Sequence, residues 1–186
     1  MLPEEIAHFK TEIAQRTTNL KTLSGEFLQK KHMAFLQNDI ESSGRFYFVA
    51  PDKIKWAYAN PYRYSVIFKN GKIFIDNEGE KNTIDIGKNK LLDKLNKLIV
   101  NSINGKMLES NDFKIMYHQN ADYFIANLLP TDPVVLKLFK EIVLTFDKTD
   151  YKIHRVKLVE PSDDYTQIYF TKLKTNAPIE DSVFRL

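Results

Sequence analysis

The amino-acid sequence predicts a mainly β fold built from antiparallel strands. Apolar and polar residues alternate with a period of two in several short segments, and turn-forming residues separate these segments at short, regular intervals. The chain carries 13 Phe, 9 Tyr and one Trp but only 6 Gly, and aromatic side chains favour pleated, half-buried surfaces. This combination is typical of a meander, a sandwich or a barrel.

The first segment has helical rather than strand periodicity. Pro3 and the two acidic residues that come after it suit the first turn of a helix, where proline is tolerated and negative charge meets the positive end of the helix dipole. Ile6, Phe9 and Ile13 then fall on one helical face. We therefore predict a helix over residues 3–18.

Strands are predicted after this helix, over residues 27–35 and 39–50. Within the second strand Phe46 and Phe48 share one face, and the Pro51-Asp52 pair supplies a turn. The alternation resumes in the next strand, where the face carries Ile54, Trp56 and Tyr58.

The next two strands are joined by the Asn70-Gly71 pair, which is the strongest short-range signal for a hairpin. Before this pair a third alternating face carries Tyr62, Tyr64, Val66 and Phe68. After it, residues 72–77 complete the hairpin.

Residues 88–103 interrupt the strand pattern with an amphipathic helix. Apolar residues recur at helical spacing and form one stripe: Leu91, Leu92, Leu95, Leu98, Ile99 and Ile103. Strands are then predicted over residues 113–119, 123–129, 141–147, 151–160 and 165–174, with a short helical turn over 134–140. Because no linker, repeat or low-complexity segment divides the chain, we predict a single domain over residues 1–186.

The composition excludes several kinds of active site. The chain has no Cys, so disulfides, thiolate metal ligands and a Cys nucleophile are all ruled out. The four histidines lie far apart in the sequence, and none has a carboxylate at the spacing of metal ligands. No apolar run approaches the roughly 20 residues of a spanning helix. We therefore predict a binding protein rather than an enzyme, with no catalytic residues, no metal and no cofactor.

Nucleic acid is the partner class that the sequence superficially suggests. Lys30-Lys31-His32 is basic, and residues 45–49 resemble the aromatic RNA-binding strand of an RNA recognition motif. However, the glycine precedes the arginine here, the second small residue is missing, and the order of elements is not βαββαβ. The formal charge of +3 contributes little attraction to the phosphate backbone of a nucleic acid. We predict no nucleic-acid partner.

An ordered set of short motifs resembles the LolA-like carriers of outer-membrane lipoproteins. It comprises Phe27-Leu28-Gln29-Lys30, then residues 43–51 as S-G-R-F-Y-F-V-A-P, then Ile54-Lys55-Trp56-Ala57-Tyr58 and Pro61. The Asn70-Gly71 hairpin falls where these proteins have a D-G or N-G turn, and residues 176–179 with Phe184 resemble the end of the family's last strand and the segment after it. The similarity extends over nearly the whole chain.

This resemblance implies a strongly curved, unclosed antiparallel sheet, a half-open barrel, with lid helices on its concave face. The two predicted helices are the lid candidates, through Ile6, Phe9, Ile13, Leu91, Leu95, Leu98 and Ile99. Because alternate residues of a strand share one face, we can assign candidates for the wall of an acyl-chain cavity. They are Phe46, Phe48, Ile54, Trp56, Tyr58, Tyr64 and Val66. For each wall residue, packing as ordinary core is the alternative to contact with a ligand.

The resemblance also implies a monomeric periplasmic chaperone whose signal peptide has been removed. Such a carrier takes acylated lipoproteins from an inner-membrane ABC-type release complex and delivers them to an outer-membrane acceptor. One departure concerns lid control. The family's arginine before the strand-ending proline, which holds the lid helices shut, is Ala50 here.

Two alternatives remain open from the sequence. One is an acceptor-type or sensor-type relative of the same fold; an acceptor would need a lipid-anchoring Cys at its mature N-terminus. The other is a protein-interaction module whose aromatic sheet is a filled core. An acyl-chain cavity is the feature that separates a carrier from such a module.

Overall fold

A computed structural model describes residues 1–86, 90–103 and 105–186, with the side chains of residues 90–93, 95 and 96 outside that description. Helix α1 spans Pro3–Thr18, and after it come strands β1 Thr22–His32, β2 Ile40–Val49, β3 Lys53–Asn60, β4 Tyr64–Lys69, β5 Lys72–Asn77 and β6 Glu80–Asp85. Next come α2 Lys90–Ile103, a 3₁₀ turn Lys106–Glu109, β7 Phe113–Gln119, β8 Tyr123–Pro130 and α3 Pro133–Leu136. The chain continues with β9 Glu141–Asp147, β10 Ile153–Val159, β11 Tyr165–Thr175 and a 3₁₀ turn Asp181–Phe184.

All the strands among the described residues belong to one eleven-stranded antiparallel sheet, in the order β6-β5-β4-β3-β2-β1-β11-β10-β9-β8-β7. In the described part of the chain β6 and β7 are the two ends of this order, so the sheet does not close into a barrel. The predictions of a mainly β fold and of an unclosed sheet are confirmed. No helix among the described residues is both long enough and apolar enough to cross a membrane.

The chain divides into two compact units, each made of segments that are distant in the sequence. The first unit comprises Met1–Asn19, Lys30–Ile40 and Leu98–Tyr169. The second comprises Leu20–Gln29, Glu41–Lys97 and Phe170–Leu186. The single domain over residues 1–186 stays a prediction, and each unit is described by itself.

The core of the first unit is built around α1. Proline occupies the first helical turn, and the Glu5 carboxylate accepts a hydrogen bond from the Leu2 N–H at 2.6 Å. Phe9 and Ile13 then enter an apolar cluster completed by Met107, Leu108, Phe113, Ala126, Leu128, Val135, Ile142, Leu144 and Phe146. Five strand residues of this cluster come from alternate positions of β8 and β9, as expected for one face of a sheet, and Phe113 comes from β7.

In the second unit, β2 to β6 form successive antiparallel pairs. Asn70 and Gly71 both have left-handed backbone angles, with φ of 51° and 68°, so the predicted hairpin between β4 and β5 is confirmed. Gly44 lies at a bulge in β2, where an added Cβ would come 2.0 Å from the Ala57 carbonyl oxygen. Only glycine allows this close approach of β2 to β3.

The structure corrects several predicted boundaries. Strand β1 begins at Thr22 and ends at His32, whereas residues 27–35 were predicted, and β4 begins at Tyr64, so Tyr62 lies in the preceding turn. Strand β6 was not predicted, because its sequence Glu80–Asp85 is almost entirely polar and every residue in it is exposed. The predicted helix over 88–103 is observed from Lys90, and residues 88 and 89 lie outside the described residues.

Candidate functional site

One face of β2 to β5 carries all the predicted wall residues. Residues paired across antiparallel strands present their side chains on the same face. Three such rows cross these strands: Phe46, Trp56, Val66 and Ile75; Phe48, Ile54, Phe68 and Ile73; and Gly44, Tyr58, Tyr64 and Asn77. We call this surface the apolar face.

Burial divides the predicted wall residues into two groups. Phe46, Phe48 and Ile54 are only 1%, 2% and 0% exposed, so the fold itself uses them as core. The remaining members are half-buried and keep some surface: Trp56, Tyr58, Tyr64 and Val66. The second group therefore offers the apolar contact area that a ligand could cover.

Trp56 lies at the centre of an aromatic cluster. Its ring packs edge-on against Phe27 with centroids 5.0 Å apart and stacks on Phe46 at 5.5 Å. Phe170 makes a further edge contact with Phe46 at 5.2 Å. The wall prediction did not include Phe27 or Phe170. The alternation of Leu23, Gly25 and Phe27 would have indicated the first of these, whereas placing Phe170 required the sheet order.

Tyr58 is held in place by a hydrogen bond from its hydroxyl to the Gln29 Oε1 atom, at 3.0 Å. Burial of the hydroxyl raises the pKa of Tyr58 above its ordinary value of 10.0; nearby Tyr64 adds to this and the Gln29 bond opposes it. The phenol therefore stays protonated near neutral pH. Its proton is directed at Gln29, and its oxygen can accept a further hydrogen bond at the border of the apolar face.

A groove opens at this border, between the turn that joins β3 to β4 and the turn that joins β5 to β6. It has a volume of about 410 Å³, and Tyr58, Pro61, Tyr62, Tyr64, Asn77 and Glu78 are among its lining residues. Tyr62 is 69% exposed, because it lies in the turn. The sequence did not indicate this groove, since its far wall comes from the unpredicted β5–β6 turn.

Part of the opposite face of β3 and β4 is covered by the chain's own C-terminal segment. The Lys55 and Lys69 ammonium groups donate to the carbonyl oxygens of Val183 and Phe184, at 2.9 Å and 2.6 Å. Phe184 and Ile67 are almost fully buried. Burial lowers the pKa of Lys55, although the Asp76 carboxylate partly opposes this. The C-terminal segment thus occupies part of this face, while Ala57, Ser65 and Asp76 on the same face are half-buried and line a groove of their own.

The residues predicted to form a lid lie in several environments. Phe9 and Ile13 are core residues of the first unit, and Ile6 beside them is half-buried. Leu98 and Ile99 are half-buried, and Leu98 packs against the same core. The side chains of Leu91 and Leu95 lie outside the described residues. The assignment of all seven predicted residues to a lid stays a prediction.

The described side chains bear on two further points, a metal site and a latch for the lid. Among the side chains that the structure describes, which leave out those of residues 90–93, 95 and 96, no three from His, Asp or Glu come together as metal ligands would. Ala50, at the position of the family's arginine, is exposed and makes a backbone hydrogen bond to the Lys21 carbonyl oxygen at 2.8 Å. It offers no side-chain donor for a latch.

The sequence of this chain is similar to those of outer-membrane lipoprotein carrier proteins. The sequence profile described as "Outer membrane lipoprotein carrier protein LolA" matches residues 18–186. An outer-membrane lipoprotein carrier protein of Methylococcus capsulatus is 26% identical over 168 residues, which cover 89% of this chain and 76% of that protein.

Two solved structures are similar in fold. The Mycobacterium tuberculosis lipoprotein LppX superposes with a TM-score of 0.53 at 8% identity, covering 96% of this chain and 99% of that one. A chain of the Pseudomonas aeruginosa MucA/MucB complex gives 0.54 at 12% identity, covering 98% of this chain and 61% of that one. At these identities the likeness concerns the fold alone.

Proposed function

Because this chain belongs to the LolA family of outer membrane lipoprotein carrier proteins, we propose that it binds the acyl chains of lipoproteins on its apolar face and carries them through the periplasm. It takes them from an inner-membrane ABC-type release complex and passes them to an outer-membrane acceptor. The role is binding and transport, without a chemical step. The observation that carries the proposal is the half-buried row of Trp56, Val66 and Ile75 beside a fully buried aromatic core.

The energetics suit a carrier that must release its cargo. Covering an acyl chain with apolar protein surface contributes about 0.8 kcal/mol per methylene, so a dozen methylenes contribute roughly 10 kcal/mol. Half-buried side chains limit this gain, because part of their surface is already covered in the free protein. Binding therefore stays reversible.

The sole tryptophan provides a direct test, since Trp56 belongs to the proposed binding row. We expect a fatty acid brominated along its chain to quench the fluorescence of Trp56, because bromine quenches indole only at short range. In the matched control the reporter is moved by combining Trp56→Phe with Phe35→Trp. Phe35 is 75% exposed and lies outside the apolar face. Quenching that is absent in the wild type, or equal for the two reporters, would overturn the proposal.

A second candidate function is a protein-interaction or sensing module of the same fold. Phe46, Phe48 and Ile54 favour it, because they are already buried without a ligand. The fold similarity to a chain of the MucA/MucB complex is compatible with such a role. This candidate predicts no uptake of acyl probe at any concentration, so the same quenching measurement separates the two.

A further inference from the structure

The groove beside Tyr58 and Tyr64 is continuous with the apolar face. Tyr58 pairs with Tyr64 across β3 and β4, and Tyr64 pairs with Asn77 across β4 and β5. This row lies next to the row of Trp56, Val66 and Ile75 and points to the same side of the sheet. A ligand lying along the apolar face would therefore reach the groove at one end.

The groove differs from the apolar face in its chemistry. Its apolar lining comes from the tyrosine rings and Pro61, while Asn77 and Glu78 bring polar groups to its far side. Among the described residues that line it, Glu78 carries the only formal charge. Lys55 and Arg63 line a second groove, which shares Tyr58, Tyr64 and Glu78 with the first and takes its other residues from the opposite face and the neighbouring turns. A phosphate group in the first groove would meet the Glu78 carboxylate and no cation among the described lining residues, which is unfavourable.

The volume limits what the groove can hold. About 410 Å³ is near the lower end of the range for small-ligand pockets, roughly 300–1,000 Å³. It suits a compact group with hydrogen-bonding atoms rather than several long hydrocarbon chains. Tyrosine rings provide rigid contact area at low entropic cost, and their hydroxyl groups can form hydrogen bonds with ester or amide groups.

We propose that this groove binds the uncharged junction of a lipidated polypeptide, namely the glycerol ester and first amide groups next to the acyl chains. The inference rests on the proposed function, because the acyl chains must lie on the apolar face for the junction to reach the groove. Binding of this junction would let the protein select lipoproteins over phospholipids. A lipoprotein places neutral esters and amides at this point, whereas a phospholipid with the same chains places a phosphate there.

The experiment compares three probes on the purified protein. They are a diacylglyceryl-cysteinyl peptide of neutral sequence, a phosphatidylglycerol with the same two chains, and a brominated fatty acid. We expect the lipopeptide to bind at least tenfold more tightly than the phosphatidylglycerol. Tyr62→Ala should weaken lipopeptide binding about tenfold and leave quenching by the fatty acid unchanged. Glu78→Lys should improve the binding of phosphatidylglycerol.

Phe35→Ala is the matched control, because Phe35 is an exposed aromatic residue outside the groove, as Tyr62 is within it. It should change none of the three affinities. Equal affinity for lipopeptide and phosphatidylglycerol, or an equal effect of Tyr62→Ala on lipopeptide and fatty acid, would overturn the groove assignment while the carrier function stands. Failure of the wild type to bind the fatty acid would overturn the carrier function and the groove assignment together.

Discussion

Trp56 pairs directly with Val66 across β3 and β4, so the sole tryptophan and this valine share the apolar face. Ser65, the neighbour of Val66 in the chain, pairs with Ala57 and points to the opposite face. Both Ser65 and Val66 are half-buried, so the two faces can be compared by the same substitution one residue apart.

We expect Val66→Glu to reduce the affinity for an acyl probe at least tenfold, because a carboxylate on the apolar face would have to lose water when an acyl chain binds. Ser65→Glu should leave this affinity within about twofold of the wild type. Fluorescence titration measures both, and circular dichroism confirms that each variant is folded. Equal losses in the two variants would count against the apolar face. Phe48→Glu is unsuitable here, since Phe48 is core and a buried charge would unfold the protein.

Gly44→Ala should destabilise the protein by about 1–3 kcal/mol or more, because the new Cβ overlaps the Ala57 carbonyl and forces β2 away from β3. Urea unfolding measures the loss. Ser43→Ala, at the preceding position, should change the free energy of unfolding by less than about 1 kcal/mol. Similar stability of the two variants would show that the strands separate more easily than the close approach suggests.

Phe9→Ala should cost about 3–5 kcal/mol, the usual range for removing a buried aromatic side chain. Phe9 is fully buried and packs against Phe124 and Phe146, with ring centroids 4.8 Å and 5.4 Å away. Thr11→Ala, on the exposed side of the same helix, should be close to neutral. If Phe9→Ala were also neutral, α1 would contribute little to the core of the first unit and could act as a mobile lid.

Phe184→Ala should destabilise the second unit by about 3–5 kcal/mol and make the C-terminal segment sensitive to protease, because Phe184 is buried where this segment packs on β3. Arg185→Ala is the control, since Arg185 is exposed. Urea unfolding and limited proteolysis measure the two effects. Unchanged cleavage in Phe184→Ala would mean that the lysine hydrogen bonds alone hold the segment.

The stability should depend on pH through Asp147. Its carboxylate accepts hydrogen bonds from the Thr149 hydroxyl at 2.5 Å and from the Thr149 N–H at 2.7 Å, which lower the pKa of Asp147 below its ordinary value of 3.8. The unfolded state then binds more protons, so the stabilisation is full above pH 3.8 and disappears as the pH falls through the folded-state pKa.

Urea unfolding of the wild type and of Asp147→Ala, between about pH 7 and about pH 3, tests this dependence. The wild type should be the more stable of the two near neutral pH, and the difference should shrink in acid. A difference that grows as the pH falls would have the opposite sign from the one expected.

Alternation and turn residues were enough to predict most of the fold. Strands β5, β7 and β9 and helix α1 have the predicted bounds, because each has strong periodicity and clear turn residues or caps at its ends. Strand β6 could not be found in this way. It is held by its pairing with β5 rather than by burial, so its side chains show no apolar pattern.

The residues of the apolar face were also predictable in part from the alternation of residues along the strands. The alternation predicts that one face carries Trp56, Tyr58, Tyr64 and Val66, and the register of the paired strands agrees with this placement. The degree to which each is covered depends on partners far away in the sequence, such as Phe27 for Trp56. The groove at Tyr62 depends on two turns that meet only in the folded chain.

The C-terminal segment packed against β3 has a consequence for protein engineering. Strands β3 and β4 present Trp56 and Val66 on one side and Ile67 on the other, and Phe184 is buried on the side of Ile67. The two sets of residues alternate in the sequence, so each can be varied without altering the other. A library that randomises positions 56, 66 and 75 while retaining Ile67 and Phe184 would therefore vary the proposed binding surface and leave the packing of the C-terminal segment in place.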